Sequence, residues 1–184
     1  MEYANAFPFH QLCFSFEEMK TQKTTNGRLD SLWKTFMKNF ITKQGQHDSG
    51  YPVYRLILPS LDGRDRYQLK ELNLGKMLIK IFGIPEKDAH LLKKQNWNDP
   101  TIMNLVAPHA HGNFSNTVQF VLQGRTGVSK STMTVGEVNV ILDELRSGTL
   151  EEGKREKLLK ELCWNLTPME CKWIVRIILR DMKV

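Results

Sequence analysis

Twice along this chain a threonine precedes a glutamate by three residues just where an apolar run begins, Thr134 with Glu137 and Thr167 with Glu170. A threonine hydroxyl so placed accepts the backbone amide three residues on, while the glutamate reaches back to the threonine amide. Two of the donors that a helix start leaves open are then satisfied together. Each pair therefore predicts a helix start. The first opens a segment that would bury Val135, Val138, Ile141, Leu142 and Leu145, and the second has Pro168 at its first helical position.

The same three-four spacing recurs upstream. Phe9, Leu12, Cys13, Phe16 and Met19 predict a helix over 9–20. Leu29, Leu32, Trp33, Phe36, Met37 and Phe40 predict a second, with 24–27 as the turn of a helical hairpin. A helix over 68–82 would turn Leu72, Met77, Leu78 and Ile81 inward and stop at Gly83 and Pro85. Helices over 88–94, 114–122 and 151–166 complete the set. The run 51–58 suits a strand by its Val, Tyr and Ile content, and periodicity alone leaves strand and helix open. Residues 95–113, with two prolines and a glycine, form a long irregular connection that marks a lobe boundary. These segments predict an all-α fold, an irregular two-lobed helical array over residues 1–184, monomeric and more than half helical.

Charge narrows the partner. The net charge is +6, and between residues 20 and 43 Lys20, Lys23, Arg28, Lys34, Lys38 and Lys43 face Asp30 alone. A second basic stretch runs Arg64, Arg66, Lys70, Lys76 and Lys80, and the balance favours a polyanion. The loop 123–133 (QGRTGVSKSTM) adds Arg125, Ser129, Lys130 and Thr132, cations and hydroxyls of the kind that meet phosphate oxygens, immediately before the Thr134 helix start. It does not match a P-loop.

Catalytic and metal signatures are lacking. Cys13, Cys163 and Cys171 are odd in number, sit in apolar-periodic segments and make no C-x-x-C pair, so they read as buried thiols. His109 and His111 are close without accompanying ligands, and there is no G-x-S-x-G turn. No stretch approaches the roughly 20 apolar residues of a membrane span, and no signal-peptide pattern opens the chain, so an intracellular protein is expected.

The segment 51–71, YPVYRLILPSLDGRDRYQLKE, resembles the N-terminal DNA-binding domain of eukaryotic ATP-dependent DNA ligases, most closely the ligase IV group. Three further segments agree in the same order: Gly112-Asn113-Phe114, TVGEVNVILDEL from Thr134, and ECKWIVRIILRD from Glu170. The loop after Asp62 is slightly shorter than the family pattern, and Asn113 stands where the family often has aspartate. The family pattern continues past the position of Val184, so the domain is expected to be incomplete at its C-terminus. The nucleotidyl-lysine motif is absent, since Asp62-Gly63 follows Ser60 and Leu61.

The resemblance implies a nuclear domain that holds nicked or broken duplex DNA by backbone and minor-groove contacts, without sequence specificity, for repair by non-homologous end joining. It implies no cofactor in this chain, with ATP and magnesium belonging only to a full-length ligase. Lys20, Lys23, Arg28, Gly112, Arg125, Ser129, Lys130 and Thr132 are the candidate DNA contacts. A competing reading makes the hairpin 9–40 a protein-binding groove lined by Trp33, Phe36 and Phe40. The resemblance names an end-processing nuclease such as Artemis as its partner, and the two functions can coexist.

Overall fold

The protein is described here by a computed structural model covering residues 3–32, 34, 50–64, 67–93, 113–146 and 150–182. Among the described residues ten helices and no strand are found: α1 Tyr3–Ala6, α2 Phe9–Thr21, α3 Thr25–Leu32, α4 Tyr51–Ile57, α5 Glu71–Phe82, α6 Glu86–Lys93, α7 Phe114–Leu122, α8 Val135–Leu145, α9 Glu152–Trp164 and α10 Pro168–Leu179.

α10 organises the core. Every residue from Cys171 to Ile178 is buried, which is the mark of a helix enclosed on all sides rather than amphipathic. It packs on α7 and α2. Around it α2 pairs with α3, α5 with α6, α6 with α7, and α8 with α1, α4 and α9. The apolar interior is one cluster running from Ala4 to Ile178. The expected lobe boundary lies largely outside the described residues, but α6 and α7, which flank it, pack on each other.

Both capping boxes form. Thr134 Oγ1 accepts the Glu137 amide at 3.2 Å while Glu137 Oε2 accepts the Thr134 amide at 2.8 Å. Thr167 and Glu170 repeat the exchange at 3.3 and 2.9 Å. Each such cap is worth about 1 kcal/mol. Gly83 closes α5 in the left-handed region at φ 56, and Ile84 donates to the Ile79 carbonyl at 3.0 Å.

One open alternative is resolved and two local expectations shift. The segment at 51 is a helix: Pro52 occupies its first turn, where a missing N–H has no consequence, and Val53, Leu56 and Ile57 turn inward. The hairpin turn is earlier than expected, because Thr24 Oγ1 accepts the Gly27 amide at 3.1 Å and α3 starts at Thr25. Leu32 is then buried while Leu29 remains 57% exposed. α5 begins at Glu71 rather than 68, since Gln68 has φ 55 and cannot continue a right-handed helix backwards, and Leu72 is half-buried.

Candidate nucleic-acid interface

The α2–α3 hairpin carries the first cation group. Lys20, in the last turn of α2, pairs with Glu17 one turn back at 3.5 Å. Lys23 stands exposed in the turn. Arg28 is half-buried and donates from Nε to the Gln22 carbonyl at 3.3 Å, so part of its role is to close the hairpin. Phe14 and Leu29 on the same hairpin are more than half exposed, at 61% and 57%. Trp33, Phe36 and Phe40 lie outside the described residues, as does Gly112.

Behind the hairpin, Glu17 accepts from the Trp173 indole Nε1 at 2.8 Å and from the Lys172 ammonium. Lys20, Lys172 and Arg176 all lie within 6.0 Å of the Trp173 ring. Burial pushes the Glu17 carboxyl up, but the hydrogen bond and charge of Lys172, with Lys20 and the indole, outweigh it and hold the group below its ordinary value. This carboxylate thus anchors the back of the hairpin to α10.

The loop 123–134 behaves differently from a free basic loop. Arg125 is half-buried, and its guanidinium donates to Asp88 on α6 and to the Val121 carbonyl. Ser129, Lys130 and Thr132 are exposed, yet the turn is ordered by the buried Ser131, whose Oγ accepts the Met133 amide at 3.1 Å. The loop is tied to the N-terminal segment by an isolated bridge, Phe9 N to Met133 O and Val135 N to Phe7 O, both 2.9 Å. Two amides at the start of α8 are taken by its capping box and a third by Phe7. The loop therefore offers Lys130 and two hydroxyls more readily than an open helix end.

Asn113 caps α7, its side chain accepting from the Asn116 amide at 3.2 Å and the Ser115 hydroxyl at 2.6 Å. The basic stretch 64–80 lends its lysines to two clefts beside α5, but charge reading of single segments misses Arg155 and Arg180, which complete them. One, of about 860 Å³, lies between the start of α5 and the end of α10 and includes Lys70 and Arg180. The other, of about 480 Å³, lies between α5 and α9 and includes Lys76, Lys80 and Arg155. Asn73 and Leu69 line both. No spacing signal links residues so far apart in the chain.

Among the described residues no group of three or more His, Cys, Asp or Glu side chains is placed to hold a metal ion. All three cysteines are buried and free. Among those residues, too, no helix is long and apolar enough to cross a membrane.

Residues 8–184 match the family model described as DNA ligase N terminus. The chain belongs to the DNA ligase N-terminal family. It is 33% identical over 182 residues to DNA ligase 4 of Coprinopsis cinerea, covering 96% of this chain and 17% of that protein. It is 32% identical to DNA ligase 4 of Pongo abelii over 197 residues and 31% identical to that of Homo sapiens over 198, covering 98% of this chain and 20% of each. The chain thus spans about a fifth or less of these relatives' length.

Within this ligase domain the described residues of the segment 51–71 form α4, an anchored turn through Arg64 and the start of α5. Arg64, almost wholly buried, donates to Asp62, to Asn139 Oδ1 at 3.0 Å and to the Arg55 carbonyl at 3.2 Å. Arg55 in turn donates to Asp62 at 3.3 Å and to Asp143 on α8. From the other side Arg180, held at φ 58, donates to the Pro59 and Ser60 carbonyls at 2.9 and 2.7 Å. A left-handed arginine is strained, and these two bonds offset that strain. Arg55, Arg64 and Asp62 thus fasten a loop, and their charges are spent on contacts within the fold.

Proposed function

We propose that this domain grips nicked or broken duplex DNA through its backbone, without reading sequence, and positions the break for the catalytic core of a longer ligase of the ligase IV type. In that reading it works as a monomer in the nucleus during non-homologous end joining. Adenylation with ATP and magnesium belongs to the core, and this chain forms no covalent adenylate of its own. The observation that carries the reading is that Lys23 and Lys130, on two separate elements of a DNA ligase N-terminal domain, stand exposed with no ion pair among the described residues. Cations so displayed release condensed counterions when they meet phosphates, which yields affinity independent of base sequence.

The test is fluorescence anisotropy with nicked duplexes of unrelated sequence at several salt concentrations. The wild type should bind them alike, with log affinity falling linearly in log salt. Reversing Lys20 and Lys23 to glutamate should weaken all of them and lower the slope by about two units. Salt-insensitive binding, or strong discrimination between sequences, would overturn the reading.

A second reading is favoured by Phe14 and Leu29, apolar side chains that the hairpin leaves outside the core. They suit a partner peptide docking on α2 and α3, as an end-processing nuclease would supply. Such docking should survive salt that removes the DNA.

A further inference from the structure

The α5–α9 cleft holds a charge imbalance that no established role absorbs. Lys76, Lys80 and Arg155 line it together with Asn73, Leu150 and Glu156, in a volume of about 480 Å³. Three cations meet one carboxylate, and Glu156 already spans the two helices to Lys80 at 2.5 Å. Lys76 is exposed, with no ion pair among the described residues. The Nε of Arg155 is shielded from solvent and has no hydrogen-bond partner among the described residues. A donor withdrawn from water and left unmatched is unfavourable until an acceptor arrives, and a guanidinium beside an ammonium suits an oxyanion.

We infer that this cleft takes a backbone phosphate of the bound duplex, with Arg155 and Lys76 as direct donors and Glu156 as a competing carboxylate that holds Lys80 until the phosphate enters. The inference rests on the DNA-binding reading above. A nucleic-acid strand is favoured over a lone small anion because the cleft shares part of its wall with a second cation-bearing cleft. Asn73 and Leu69 line both, and the larger one brings Lys70 and Arg180. Phosphates spaced along a strand can use both clefts, whereas one small anion fills only part of one.

The experiment is again anisotropy of the full chain with labelled nicked duplex across a salt series. The double variant Lys76→Ala with Arg155→Ala should lose affinity for unrelated sequences alike and lower the salt slope by about one unit, the contribution of one phosphate. Glu156→Gln should bind several-fold more tightly with a steeper slope, a gain that misfolding does not produce. An unchanged slope in the double variant, while reversal of Lys20 and Lys23 still lowers it, overturns the cleft and leaves the DNA reading standing. Absence of duplex binding by the wild type overturns both. Inorganic pyrophosphate titrated by calorimetry distinguishes the other source of phosphate. Stoichiometric binding lost in the double variant, with the DNA slope untouched, would make this a small-anion site and overturn the inference.

Discussion

Trp173 donates its indole Nε1 hydrogen to Oε1 of Glu17 at 2.8 Å, joining the most buried helix to the basic hairpin. The same oxygen takes Lys172, whose ammonium burial presses below its ordinary pKa while Glu17 pulls it back. Because the folded Glu17 carboxyl lies below its ordinary value of 4.5, its stabilising contribution is complete above that value and is lost as pH falls through the folded value. Glu17→Gln strands the Lys172 charge. With Glu17 itself 30% exposed, the loss near neutral pH should be about 1–3 kcal/mol, less than for a fully buried pair. Urea unfolding near neutrality and near pH about 3 checks this, since the difference between wild type and variant should shrink in acid. Equal losses at both would show that the carboxylate charge is not what holds α10 to α2.

Gly75 lies inside α5, where a Cβ would come 2.3 Å from the Leu92 carbonyl oxygen of α6. Helix propensity alone predicts that Gly75→Ala stabilises by about 1 kcal/mol. Contact with a backbone atom cannot be relieved by rotating a side chain, so the expected result is the opposite sign, a loss of about 2 kcal/mol. A lower denaturation midpoint at unchanged slope against urea is the expected signature. A variant as stable as the wild type would mean that α5 and α6 can part.

Cys13, Cys163 and Cys171 are buried together where α2, α9 and α10 meet. Burial, then the Glu170 and Glu17 carboxylates, push the Cys13 thiol well up. The hydrogen bond with Cys163, then burial, does the same to Cys171. A thiol kept protonated and covered is a poor nucleophile. None of the three should react with a disulfide reagent in the folded protein, and all should react in denaturant. Rapid labelling of any one under native conditions would reveal an opening of this part of the core.

How much of this was legible in the sequence depends on distance along the chain. The α8 and α10 starts were readable because caps are local, with Thr134 and Thr167 each acting within three residues, and the Asn113 cap of α7, equally local, was there to be read. The α4 segment stayed ambiguous because a seven-residue apolar run fits both periods, and only Pro52 in the first turn argues for helix. The surroundings of charges were less legible than those of apolar residues. Arg64 and Arg125 look like surface cations in the sequence, yet each is occupied by groups brought in from elsewhere, Asn139 and Asp88. The α5–α9 cleft needs Lys76 and Arg155 side by side, which no window of sequence displays.

Arg125 and Lys130 share one loop and one formal charge, and the fold separates their roles. Arg125 ties the loop to α6 through Asp88, in a pair whose side chains are each 28% exposed, and also donates to the Val121 carbonyl. Lys130 is exposed. A guanidinium already matched by a carboxylate must give up that partner before it can meet a phosphate, whereas a solvated ammonium gives up only water. Lys130→Ala should therefore lower the salt slope of duplex binding by about one unit and leave the unfolding midpoint unchanged. Arg125→Ala should leave the slope unchanged and reduce stability by about 1 kcal/mol, since Asp88 loses its partner and the loop loses a tie. Anisotropy across salt, read beside thermal unfolding of the same two variants, separates these outcomes. A reduced slope in Arg125→Ala would show that the guanidinium leaves Asp88 when DNA binds, and an unchanged slope in Lys130→Ala would remove this loop from the interface.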